Sequence, residues 1–217
     1  EAAPTVAGCT FTNVDCPFTF RHTGANPSLS NLKFGEGQVG CIGLESTFSV
    51  SADFTLKNYS LGYRLLAAMT VSGCTFTVPK DTHIDLYGRN IMLGQSSKPA
   101  RLVADGAFFT NSGANDQYVR FDYTSGGTLT GCTFDNVYLN IANGNSSVVR
   151  SNFLETAKGI VNTSGQALAA ENNYWGDPSG PAHASNPGGK GVGVSDNVDY
   201  IPWLTAFATP GVVAPAP

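Results

Sequence analysis

The stretch "KDTHIDLYGRN", Lys80 to Asn90, gathers residue types that can do chemistry. Asp81, His83 and Asp85 alternate, so in an extended chain they share one face. A carboxylate beside an imidazole tunes a general base. Two carboxylates and an imidazole also offer donors to a divalent metal. With one histidine and no second ligand cluster, however, a solvated loop is the expected setting and no metal is assigned. A second pair, Asp135 and Glu155, falls just past neighbouring copies of a repeat described below, which puts them one coil apart on an outer face. Glycoside hydrolysis asks for two carboxylates about 5–10 Å apart. Adjacent acids on a wet surface reach that range without any chemistry, so no residue is assigned as catalytic. The third group is aromatic: Tyr174, Trp175 and Trp203 either form a sugar-stacking platform or seal a structural end. The setting "ENNYWGDPSGPAH" favours the seal, because Pro178 and Pro181 cannot donate to a strand ladder. His22 sits in a polar loop and His183 in the expected cap. No Gly-x-Ser-x-Gly or P-loop pattern occurs, and "GGKGVGV" neither follows a strand nor opens a helix.

The elements that would position these residues are short and repeated. "GCTF" occurs with its glycine at Gly8, Gly73 and Gly131. Taking the aromatic as anchor, and adding weaker copies, gives Phe11, Phe34, Phe54, Phe76, Phe109, Phe134, Phe153 and Tyr174. Their spacings are 23, 20, 22, 33, 25, 19 and 21. Around each anchor apolar and polar residues alternate over about five residues, as on a strand, and a turn signal follows quickly. A period near 22 with such strands predicts a solenoid, in which one coil buries its apolar face only against the next. The anchors are expected to form one buried column. The 33-residue gap after Phe76 is expected to hold a protruding loop. Asn13, Asn111 and Asn136 lie two residues past anchors and are expected to bond between turns. Outward threonines in "CTFT" raise the idea of an ice-binding face.

Composition narrows the class. The 217-residue chain is 13% charged with a formal charge of −4. Its twelve basic residues are scattered, which excludes a nucleic-acid footprint. No apolar run approaches the roughly 18 residues of a membrane span. Five cysteines occur, three of them in "GCTF", where the thiol acts as a small hydrophobe. Cys16 and Cys41 are outside that context and are expected as one disulfide. Sequons stand at Asn58, Asn145 and Asn162 as possible glycan sites. The start "EAAPTVAG" without Met suggests a processed secreted protein or an excised fragment.

The repeats resemble those of right-handed parallel β-helix proteins, the pectate-lyase-like enzymes and many secreted or surface proteins of microbes. The most specific part runs from "VVRSNFLETAKGIVNTSGQALAAENNYWGDPSGP" to "VDYIPWL". It resembles the last coils and C-terminal segment of the repeat-containing surface proteins. The resemblance, close over residues 70–205 and loose over 1–70, implies an all-β, right-handed parallel β-helix; the eight anchors then give about eight coils over residues 1–204. Residues 1–8 are expected as an N-terminal arm, 176–204 as an irregular cap, and 205–217 as a Pro/Ala-rich tail. Low charge with Asn, Ser, Thr and Gly richness points to a secreted or cell-surface location. Few charges, no assembled active site and apolar extended arms at both ends point to a non-enzymatic structural or adhesive role, with self-assembly into a filament or layer as one form of it. The expected partners are copies of itself or other surface proteins. The alternative is a polysaccharide-processing enzyme or carbohydrate-binding module, with polysaccharide as partner and Ca²⁺ as a possible cofactor. The acidic calcium ligands and paired aspartates of such enzymes are not recovered in this sequence.

Overall fold

Corners, more than strands, set the path of this chain. Gly73, Gly106 and Gly131 have φ of +70°, +62° and +62°, and Asp81, Asn136, Arg150 and Asn172 adopt the same left-handed region. Glycine enters that region without a Cβ penalty, and Asn or Asp tolerates it. Three residues past each of these seven corners stands an apolar side chain with no exposed surface: Phe76, Phe109, Phe134, Ile84, Leu139, Phe153 and Trp175, respectively. The corner bends the backbone, and the alternation of the following strand sends that side chain inward.

The computed structural model describes every residue except 1–3, 37–39, 47, 60, 115, 143–145, 155–157 and 209–217. The protein is an all-β parallel solenoid of about seven turns, close to the eight expected, with no helix among the described residues. Three parallel sheets form its walls. The first runs from Ser49–Val50 through Met69–Val71, Ile91–Leu93, Gln117–Phe121, Val137–Ile141 and Lys158–Asn162 to Gly191–Val194, with Pro181–Ala182 at the far edge. The second runs from Phe54–Thr55 through Thr75–Val78, Arg101–Asp105, Gly126–Thr130, Ser146–Val149 and Leu168–Ala169 to Val198–Asp199. The third runs from Phe18–Phe20 through Cys41–Leu44, Gly62–Leu65, His83–Asp85, Phe108–Thr110 and Thr133–Asp135 to Asn152–Leu154. At about 4.8 Å per turn the rod is roughly 34 Å long.

The buried residues form one cluster from Phe20 to Tyr200. Its spine is a stack of rings behind the third sheet. Phe109 and Phe134 lie 5.3 Å apart, Phe134 and Phe153 4.9 Å, and Phe153 and Trp175 4.7 Å, all within 16° of parallel. The single column expected from sequence is therefore two. Phe76 lies in the second sheet and stacks on Phe54, whereas Phe109 and Phe134 pair in the third. "GCTF" marks a corner, and the chain uses it at two different corners of the coil. The 33-residue gap has the same origin. Phe76 and Ile84 belong to one turn, and Ile84 is in register with Phe109, so no oversized loop is needed. The last spine residue is likewise Trp175 and not Tyr174, whose side chain faces outward.

The N-terminal turns are built more loosely. Thr5–Ala7 pairs with Ser28–Ser30, and Thr10–Phe11 with Lys33–Phe34, as separate two-stranded sheets. Residues 4–8 are thus part of the solenoid and not an arm, while 1–3 lie outside the described residues. The continuous third sheet and the Cys16–Cys41 disulfide, with Cα atoms 4.5 Å apart, tie these turns to the rest. A bridge closing a 25-residue loop stabilises by about 3–4 kcal/mol.

At the other end the chain folds back as a cap. Asn162 anchors it: its side-chain amide donates to Gln166 O (2.8 Å) and Asn197 O (2.7 Å), and its carbonyl oxygen accepts from the Ser164 hydroxyl (2.7 Å). So engaged and buried, Asn162 is not a glycan site, whereas Asn58 is exposed and Asn145 lies outside the described residues. Trp203 packs over Gly180, where any Cβ would meet the indole ring at 2.6 Å. The tail begins docked. Ala208 N donates to Asn152 Oδ1 at 2.7 Å, Asn152 Nδ2 donates to Ala208 O at 3.1 Å, and Phe207 meets Tyr174. Residues 209–217 lie outside the described part.

Candidate functional surfaces

The outer face of the third sheet carries the first group of predicted residues. His83 and Asp85 share that face as their alternation requires, while Asp81 sits on the preceding corner with φ +60°, exposed and ahead of the strand. His83 does not pair with a carboxylate. Its ring lies flat on Phe108 of the next turn, centroids 4.2 Å apart and 7° from parallel. Asp85 is fully occupied. One oxygen accepts from the backbone N–H groups of Tyr87 and Ser112, each at 3.0 Å. The other accepts from the Ser112 hydroxyl at 2.6 Å and Arg64 Nε at 3.1 Å. Arg64 in turn lies 4.6 Å from the Tyr87 ring centroid and reaches exposed Asp15. Arg64, Asp85 and Ser112 come from three successive turns, so this knot ties the coils together through one carboxylate.

Asp135 faces outward on the same sheet, between Thr110 and Leu154. One of its oxygens is buried with no hydrogen-bond partner among the described residues. Glu155, its proposed companion, lies outside the described residues. Among the described residues no group of three or more His, Cys, Asp or Glu could hold a metal ion. Calcium asks for six or more oxygens. With four donors already on the Asp85 oxygens, these residues do not fit it.

The three predicted aromatics do not converge. Trp175 is fully buried in the ring stack. Trp203 lies on the cap, donating from Nε1 to Pro178 O at 3.2 Å and packing against Tyr200. Tyr174 stands alone of the three on the third sheet's outer face. As a stacking platform the set is corrected: the sheet's alternation puts neighbours Tyr174 and Trp175 on opposite sides of the wall. The asparagines split in the same way. Asn136 Nδ2 donates to Asn111 O, and Asn111 Oδ1 accepts from Gly88 N, a ladder over three turns. Asn13 turns a different corner. The threonine face also ends early, because Thr75 and Thr77 are opposite Arg101 and Val103.

Sequence reasoning missed a surface on the first sheet. Tyr118 and Tyr138 are direct partners with ring centroids 5.5 Å apart, and Lys158 Nζ lies 5.6 Å from the Tyr138 ring. Arg120, bonded to Asp122 at 2.8 Å, and Asn140 form the adjacent outward row. Partial burial raises the Tyr138 hydroxyl's pKa, with Tyr118 and Asp116 adding to it. The signal was present as "QYVRF" and "VYLNI", two alternating strands with tyrosine at the same place.

The two ends of the rod also differ. In the first turn Val6, Phe11 and Phe18 are only partly buried and Val14 is 38% exposed, whereas the spine residues of the later turns have no exposed surface. Phe11 packs between Phe18 and Phe34, at 5.4 and 5.7 Å. Among the described residues Thr5–Ala7 and Thr10–Phe11 each have one strand neighbour. At the opposite end the first sheet stops at a strand that begins with Pro181. A proline edge offers no N–H there and discourages further pairing.

No family model, no curated protein and no solved structure matches this chain.

Proposed function

We propose that this protein is an extracellular structural or adhesive component that associates with copies of itself or with other surface proteins through the N-terminal end of its rod. The observation that carries this reading is the inequality of the ends. One is sealed by Trp175, Tyr200, Trp203 and a proline edge; the other presents parallel strand edges beside partly buried Val6 and Phe11. Open edges and apolar contact together are what strand addition between chains uses. The Cys16–Cys41 disulfide is compatible with an extracellular setting, and among the described residues no helix is long and apolar enough to cross a membrane.

Sedimentation velocity over a wide concentration range tests the reading. Self-association is expected in the wild type and is expected to weaken when Val14→Lys and Thr5→Pro are combined. A chain that stays monomeric at every concentration, and that binds no surface extract through this end, removes the proposal.

A carbohydrate-binding role is the second reading, favoured by the Tyr118–Tyr138 pair with its basic and amide neighbours. Aromatic faces and flanking polar groups suit a sugar's apolar faces and hydroxyls. Tyrosine fluorescence titrated with neutral and acidic oligosaccharides reads it, and Tyr138→Ala is expected to abolish any change.

A further inference from the structure

The cap holds a cluster of side chains that neither reading uses. After Pro181–Ala182 the chain makes a tight turn, closed by Asn186 N donating to His183 O at 2.9 Å. Within it His183 Nδ1 lies 2.8 Å from the Ser185 hydroxyl, and Nε2 lies 3.2 Å from Asp196 Oδ1. The backbone N–H of Ser185 also points at Nδ1, at 3.2 Å. A backbone N–H can only donate, so Nδ1 is an acceptor and the neutral ring carries its proton on Nε2, facing Asp196. The Ser185 hydroxyl, the nearer of the two, shares the single Nδ1 lone pair with that backbone N–H and donates to it. Tyr200 Oη, 2.5 Å from Ser185 Oγ, then donates to the same oxygen.

The burial pattern suits a reactive hydroxyl. The His183 side chain is 17% exposed and packs edge-on against buried Tyr200, centroids 5.8 Å apart. The imidazole is thus held, while Ser185 is open to solvent. A nucleophile bonded to a base, with the base oriented by a third group, is the arrangement that activates serine. Here the two ring nitrogens have exchanged the places they hold in the familiar triad.

We propose that Ser185, His183 and Asp196 form a hydrolytic centre for small acyl esters. Ser185 Oγ bonds to the ester carbonyl carbon as its proton passes to His183 Nδ1, with the imidazolium stabilised by Asp196. The C–O bond to the alcohol breaks, and the departing oxygen takes the proton from Nδ1, leaving an acyl-serine. Water attacks that carbonyl by the same proton route, releasing the carboxylic acid and restoring the hydroxyl. Ser185 is exposed on the turn, so the substrate class proposed is a short acyl ester such as an acetate.

The test uses the full chain with p-nitrophenyl acetate and a fluorophosphonate probe, read by absorbance, intact mass and peptide mapping. A positioned general base contributes about 10²–10⁴-fold, and hydrolysis above the Ser185→Ala variant in that range is expected. One probe should add, at Ser185. His183→Gln should slow labelling at least tenfold, and Asp196→Asn, at a 92% exposed side chain, should slow it less without disturbing packing. Melting curves check that the variants remain folded. Wild-type hydrolysis by Ser185→Ala overturns the proposal. So does a label that is absent or elsewhere, or labelling of Asp196→Asn and His183→Gln at the wild-type rate. Any of these leaves the cluster as a hydrogen-bonded brace of the cap.

Discussion

Replacing paired rings tests the two-column architecture most directly. Phe109 and Phe134 are register partners with rings 5.3 Å apart, while Phe76 occupies another wall of the coil. Phe→Leu keeps most of the buried apolar volume and removes the ring, so each single change is expected to cost about 1–1.5 kcal/mol. Stacked aromatic pairs are worth about 0.5–1.5 kcal/mol beyond their area. The double variant Phe109→Leu/Phe134→Leu should therefore lose less than the sum of the singles by that amount. Phe76→Leu combined with Phe109→Leu should add to within about 0.5 kcal/mol, as separated sites do, because Phe76 stacks on Phe54 in another wall. Urea unfolding at equilibrium, followed by circular dichroism, supplies the four free energies of each cycle. The sequence repeat taken at face value predicts the same coupling in both pairs, because it places all three rings in one column. Equal coupling, or none between Phe109 and Phe134, would refute the packing described here.

Four further outcomes follow from particular contacts. Asp85→Ala strips four donors of their acceptor and leaves the partly buried Arg64 with exposed Asp15 as its carboxylate partner; a loss of about 2–3 kcal/mol is expected. Asp15→Ala, which removes an 83% exposed carboxylate from the same arginine, should change stability by at most about 0.5 kcal/mol in the same urea assay. Asn162→Ala removes the amide that gathers Gln166, Ser164 and Asn197, costing roughly 2–4 kcal/mol, and hydrogen exchange should speed selectively across residues 191–204. Burial pushes the Cys132 thiol up to about 12 from an ordinary value near 9. The unfolded chain then releases this proton first, so the contribution is constant below about pH 9 and is lost between 9 and 12, on the order of 4 kcal/mol in full. Cys132→Ala should flatten that alkaline loss in unfolding curves compared at neutral and high pH.

The all-β solenoid was legible because its cause is local. A Gly-x-x-Phe corner needs no distant residue to specify it, and alternation around Phe109 and Phe134 gives the inward face directly. What a corner cannot announce is which corner it is. Gly73 opens the second sheet and Gly131 the third, yet both read "GCTF". The identity of a corner depends on how many residues the chain has spent since the last one. Those intervals range from the single Asn136 to the stretch between Leu93 and Arg101. Counting left-handed corners, with Asp81, Arg150 and Asn172 admitted beside glycine, would have separated the columns. It would also have placed Trp175 inside.

The surfaces were harder for a related reason: chemistry on a solenoid is made across turns. Alternation put His83 and Asp85 on one face, as expected, but their partners come from other turns. Phe108 takes the imidazole, while Ser112 and Arg64 take the carboxylate, from 21 to 27 residues away. A charged residue on such a wall is judged by what stands one turn above and below it. The cap lies outside that rule. Ser185 is two residues from His183, and Asp196 is brought back by the return strand Gly191–Val194. A His-x-Ser pair in a short turn is common enough to pass unremarked. The third member becomes visible only when the returning strand is placed, and that strand pairs with Lys158–Asn162 because its apolar Val192 completes the buried end beside Trp175. The requirement to seal the last turn is therefore what assembles the one serine–histidine–aspartate arrangement among the described residues. Loosening the seal at Asn162 should weaken hydrolysis at Ser185 while leaving the Tyr118–Tyr138 face as it was.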